Sequence, residues 1–232
     1  MRVPRTGTDH GHGIGPTLPA VATQPGPRPA ATRRGLDRLI SFLDAVVAIA
    51  ITLLVLPLVD VLSAPRDGLA DVLRDDAGQF GAFLLSFVVI ARLWLVHHRL
   101  TEQVGGYDRA FVAVNLSWLL TIVLLPFATQ LVAVYGTDRL AVGLYVGTIA
   151  VSSALLTGLA VLLWRRQALR REGVEVPPPL SGLLTTGTIV VALLLGVLLP
   201  AVNYWALFLL FLTGPVEQRL ARRPARAVPG RR

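Results

Sequence analysis

Arg38–Leu58 reads RLISFLDAVVAIAITLLVLPL, and Asp44 is its one ionisable group after the opening arginine. A helix over Leu39–Leu62 would be about 36 Å long, enough to cross a bilayer with some tilt. Similar apolar blocks recur at about Phe80–His98, Ala110–Val134, Leu140–Trp164, Gly182–Leu199 and Tyr204–Val216. The last is short and would also suit a re-entrant segment. With 53% of the 232 residues hydrophobic, the chain is expected to be an all-α polytopic membrane protein of six transmembrane helices.

The charges follow the same division. There is no lysine, and if all six blocks cross, eighteen of the arginines fall on one side with both termini. They include Arg33, Arg34 and Arg38 ahead of the first block, Arg99 and Arg109, Arg165, Arg166, Arg170 and Arg171, and the cluster from Arg219 to Arg232. Only Arg66, Arg74 and Arg139 fall opposite. By the positive-inside rule both termini are expected on the cytoplasmic side. The arginines sit between apolar blocks, so the net charge of +8 reflects topology and the lipid bilayer rather than nucleic acid. Residues 1–35, rich in Pro, Gly, Thr and Arg, read as a disordered tail. Residues 36–217 form the transmembrane domain and 218–232 a basic cytoplasmic tail. Arg33-Arg34 mimics a twin-arginine signal, but Asp44 and the later blocks argue against one.

The absence of cysteine excludes disulfides and thiolate sites. His97 and His98 are adjacent and diverge by about 100° on a helix, so they are poor co-ligands for a metal. No nucleophile elbow accompanies the Ser, His and Asp residues, and neither an enzyme nor a cofactor is expected. The loop Ser63–Gln79, with Asp67, Asp71, Asp75 and Asp76, reads first as solvated and polar, the alternative being an acidic loop that concentrates cations near a pore mouth. Val176–Leu180 (VPPPL) reads as a stiff spacer, and Gly143 with Gly147 forms a GxxxG packing motif.

Asp44 and Arg92 stand inside spans, where an unpaired charge costs several kcal/mol. Arg38 lies six residues before Asp44, which is not a same-face spacing, so partners for Asp44 are sought on other helices. Trp94, His97 and His98 near the end of the second span and Asn115 near the start of the third lie at matching depth. Arg92 either snorkels to the headgroups or joins this cluster. Ile49, Thr52, Leu53 and Leu56 follow i, i+3, i+4, i+7 and share one stripe, which faces either lipid or a neighbouring helix.

The first span resembles the first helix of the transmembrane protein 175 family of lysosomal and bacterial potassium channels. The family pattern, Arg, three residues, Phe-Ser-Asp, then Ala-Val-Phe-Ala-Ile-Ala-Ile-Thr-Leu, is matched by Arg38, Phe42, Asp44 and AVVAIAITL. Ser86–Leu100 (SFVVIARLWLVHHRL) is similar to the family's Ser-Phe…Trp-x-x-His-His segment, and Asn115 with Leu124–Phe127 (LLPF) fits its third helix. The resemblance implies a homotetramer whose first helices line one central pore for potassium. Ile49, Leu53 and Leu56 would form its hydrophobic constriction, with Thr52 between them. Arg38, Phe42, Asp44, Trp94, His97, His98 and Asn115 would form a structural polar network. Leu43 replaces the family serine, so that network is expected to be smaller or rewired, and Leu43→Ser to stabilise the fold. A carbonyl-lined TVGYG filter is absent. The alternative is a proton-coupled secondary transporter using Asp44 and Arg92, although no span is visibly broken at its centre. A non-conducting scaffold is the third reading.

Overall fold

The computed structural model describes residues 30–61, 68–136 and 138–198. The sixth apolar block and the residues 218–232 therefore lie outside the described residues, as does most of the N-terminal tail.

The described residues are helical almost throughout: α1 (Ala30–Leu53), α2 (Leu56–Val61), α3 (Leu69–Asp75), α4 (Ala77–Thr101), α5 (Arg109–Tyr135), α6 (Arg139–Arg165) and α7 (Leu180–Leu198). Four stretches among them are long and apolar enough to cross a membrane: Arg33–Val61, Ala77–Thr101, Arg109–Tyr135 and Arg139–Arg165. The chain is an all-helical, multi-pass membrane protein, and α7 occupies the fifth apolar block.

Three local features depart from the sequence expectations. Helix α1 begins at Ala30, inside the segment read as a disordered tail. Its extra turns are held by tertiary contact, since Leu36 is buried with Val104, Phe111, Leu159, Leu163 and Leu169. Gly35 permits this approach, because a Cβ there would come within 2.3 Å of the Tyr107 hydroxyl oxygen. The first span is also broken near its C-terminal end. Leu54 and Val55 donate to the carbonyls of Ile51 and Thr52, three residues back, and α2 restarts at Leu56. Pro57 explains the break, as it lacks an N–H and its ring clashes with the carbonyl four residues earlier. Gln79 Nε2 donates to the Pro57 carbonyl at 3.0 Å and ties the break to α4. Finally, the loop expected over 63–79 is partly helical: α3 and the start of α4 lie within it, and Val72 is buried.

Helices α5 and α6 pack most extensively, and α1, α4 and α7 lean on that pair. The α5–α6 turn is tight because Gly136 adopts φ 57°, a region that L side chains avoid, and Asp138 then caps α6. The core joins Leu43, Val47 and Ala50 of α1, and Leu54 in the break after it, to Ile90, Trp118, Ile122, Leu125, Tyr145 and Ile149. Lipid tails are as apolar as these side chains, so close packing and internal hydrogen bonds hold the bundle together. Leu43 is completely buried here. This reverses the expectation for Leu43→Ser, which would leave a void and a buried hydroxyl in an apolar layer. At Gly147 an added Cβ would meet nothing within 4 Å, so this half of the GxxxG motif serves no close contact within the subunit.

Candidate functional site

Two arrangements around α1 concern function. The first is a partly buried polar cluster toward the arginine-rich end. Trp94 donates its indole N–H to Asp44 Oδ1 at 2.9 Å, joining α4 to α1. His97 Nε2 meets Asn115 Oδ1 at 2.7 Å, and Asn115 Nδ2 donates to the Phe111 carbonyl at 2.8 Å. Since the Asn115 amide nitrogen is committed to that carbonyl, its oxygen faces His97, and Nε2 carries the proton. His97 also stacks on Trp118, with ring centroids 4.0 Å apart and planes 6° from parallel. His97 Nδ1 and Trp118 Nε1 are buried with no partner among the described residues. His98 diverges from His97 as helical geometry requires: it stacks on Trp94 and pairs with Glu102 at 3.5 Å.

Of the residues expected in this network, Asp44, Trp94 and His98 make one group of contacts, and His97 and Asn115 another. Arg38 and Phe42 join neither, since both lie on the exposed side of α1. At about 100° per residue each falls within about 20° of Ile49, whereas Asp44 is about 140° away from it. Arg92 is half-buried and has an interaction of its own. It lies about 160° around α4 from Trp94, the residue that holds Asp44.

The second arrangement is the outward face of α1 and α2. Leu43, Val47, Ala50, Leu54 and Leu58 are buried at spacings of four, three, four and four, and the phase runs straight through the break at Leu54 and Val55. The opposite face therefore also stays in register. It carries Ile49 at 58% exposure, Leu53 at 41% and Leu56 at 55%, with Thr52 exposed beside them. The Thr52 hydroxyl donates to the Ile49 carbonyl at 2.8 Å, leaving its oxygen lone pairs outward. Among the described residues of a single subunit this stripe has nothing to pack against.

Two features escaped the sequence reading. Tyr145, Ser86 and Thr129 form a buried hydroxyl chain across α6, α4 and α5, at 3.0 and 2.8 Å, that ends on the Leu125 carbonyl. Hydroxyls scattered over three apolar helices give no periodic signal. Asp60 lies exposed on α2, one turn beyond Leu56 on the same face. Extending the stripe by four residues would have found it.

Against this geometry, residues 38–126 match the family model described as the endosomal/lysosomal potassium channel TMEM175. Over those residues the chain is similar to the TMEM175 family. The match covers most of α1, all of α2, α3 and α4, and the first two-thirds of α5, where both arrangements lie. A protein of Streptomyces collinus named as a potassium channel is 35% identical over 98 residues, 42% of this chain and 48% of the relative. The endosomal/lysosomal proton channel TMEM175 of Homo sapiens is 29% identical over 143 residues, 59% of this chain and 28% of the relative. The chain thus matches between about a quarter and a half of the length of these relatives. The crystal structure of a lysosomal potassium-selective channel TMEM175 homologue from Chamaesiphon minutus superposes with a TM-score of 0.66 at 27% identity, covering 79% of this chain and 98% of that one. The fold thus extends beyond the matched segment.

Proposed function

We propose that the chain is one subunit of a potassium-permeable cation channel. It is a homotetramer in a bacterial plasma membrane, with both termini cytoplasmic and residues 36–217 as the channel domain. Ile49, Thr52, Leu53 and Leu56 of each subunit line a narrow apolar neck on the axis. The observation that carries this reading is the exposed stripe on α1, held in phase opposite a fully packed face. One helix per chain cannot enclose a hole, whereas four cylinders about 10 Å across leave a narrow one. The potassium-channel names of the bacterial relatives support the choice of ion. An apolar neck excludes ions by dewetting and favours potassium because it sheds water more cheaply than sodium. The cluster of Asp44, Trp94, His97, His98 and Asn115 has a structural role, fixing α1 against α4 and α5 so that the stripe keeps its orientation.

Purified protein reconstituted in vesicles under potassium, sodium and proton gradients tests the reading. Potassium flux should exceed sodium flux, and Ile49→Asn or Leu53→Ala should raise flux while weakening the preference. If both variants conduct and select like the wild type, the assigned lining is wrong. Saturable, proton-linked flux abolished by Asp44→Asn would establish the transporter alternative instead.

A further inference from the structure

Asp60 extends the stripe of α1 to its outer end. Counting about 100° per residue from Ile49, Leu56 lies at about −20° and Asp60 at about +20°, nearer the centre of the stripe than Thr52 at about −60°. The break before Pro57 does not upset this count, because the buried positions Leu54 and Leu58 continue the phase of Val47 and Ala50. Asp60 is exposed and stands about 200° from Leu58, so it points away from the subunit's own core. Arg38, also exposed, lies at about −20° near the opposite end of the stripe.

From this alignment, and resting on the channel reading above, we infer that Asp60 is a permeation-determining residue. Its carboxylates, repeated around the axis, raise the cation concentration at the outer mouth and make the current asymmetric. Charge of one sign at a constriction with low-dielectric walls focuses the field and raises the entry rate of the opposite ion. Only the outer mouth gains by this. The inner mouth carries the arginine, so potassium enters faster from the Asp60 side than from the Arg38 side. No ion needs to be held at Asp60, because the effect is one of local concentration and falls away as salt screens the charge.

Single-channel recording in planar bilayers tests the inference. Wild-type current at about 10 mM potassium chloride, where the Debye length is about 30 Å, should be several-fold larger when potassium enters from the Asp60 side. Asp60→Asn should remove most of that asymmetry, and Asp60→Glu should keep it. At about 1 M salt, where the Debye length is about 3 Å, wild type and Asp60→Asn should differ by less than about 1.5-fold. The chain has no cysteine, so Asp60→Cys provides a unique thiol. A membrane-impermeant sulfonate thiosulfonate reagent added from the outer side should restore the current, and its trimethylammonium counterpart should lower it further. If wild-type current flows but ignores the charge at position 60 at low salt, this inference is overturned and the channel reading stands. A wild-type protein that passes no current overturns the channel reading itself.

Discussion

On α1, Leu43, Val47 and Ala50 press into the core against α4 and α5, while Phe42, Ile49 and Leu53, no less apolar, remain on the subunit surface. In water the second group would signal a missing partner outright. In a bilayer both environments are apolar, so burial is decided by shape and hydrogen bonding rather than by escape from solvent. What turns one face inward is the pair of polar ties on the same helix system: Asp44 to Trp94 and the Pro57 carbonyl to Gln79. Neither tie could form if α1 were rotated by half a turn.

Substitutions on the two faces should therefore differ sharply in their effect on stability. The largest change should come from Leu43→Ala, which opens a cavity in a fully buried layer and should cost about 2–4 kcal/mol. Thermal unfolding in detergent would show it as a marked fall in Tm, and an unchanged Tm would mean the layer is not packed as described. Asn115→Leu leaves the His97 Nε2–H buried without an acceptor and should cost about 1–3 kcal/mol. Trp94→Phe keeps the ring but removes the donor to Asp44. Interhelical hydrogen bonds in membranes are modest, so about 1 kcal/mol is expected, measurable in the same assay.

A smaller effect belongs to the loop at the arginine-rich end of the bundle. Asp108 caps α5 by accepting the Phe111 N–H at 2.8 Å, and Arg166 pairs with the same carboxyl. These contacts, the Phe111 amide foremost, hold its carboxyl below the usual carboxylate range. A depressed value means that the stabilisation is complete above the unfolded value of about 4 and is lost as pH falls through the folded value beneath it. The site is open to solvent, so Asp108→Ala should cost only about 0.5–1 kcal/mol near neutrality. Its difference from the wild type in Tm should shrink on acidification toward pH 3. Smallest of all, Ile49→Ala on the outer face should change subunit stability by less than about 0.5 kcal/mol. A loss as large as that of Leu43→Ala would mean that the two faces are equivalent.

The apolar blocks and their order were readable because length and hydropathy alone specify a spanning helix. Trp94, His97 and Asn115 were found by depth, since polar side chains in a membrane must seek one another at the same level. Arg38 and Phe42 were misplaced because membership in a motif says nothing about which face of a helix a residue occupies. The early start of α1 was hidden because residues 30–35 have no apolar run of their own, and the turn is held by Leu36 and Tyr107, the latter from a distant loop.

The sequence by itself determined that this chain crosses a membrane several times and that residues 38–126 carry the TMEM175 pattern, since both follow from local composition and linear motifs. It also determined the stripe of Ile49, Leu53 and Leu56, because helical periodicity is a local property. Only the tertiary structure decided that this stripe faces away from the bundle, that Leu43 closes the core, and that Asp60 stays in line with it beyond the break. Those are questions of rotation and long-range contact, and in a uniformly greasy helix no local signal distinguishes one face from the other.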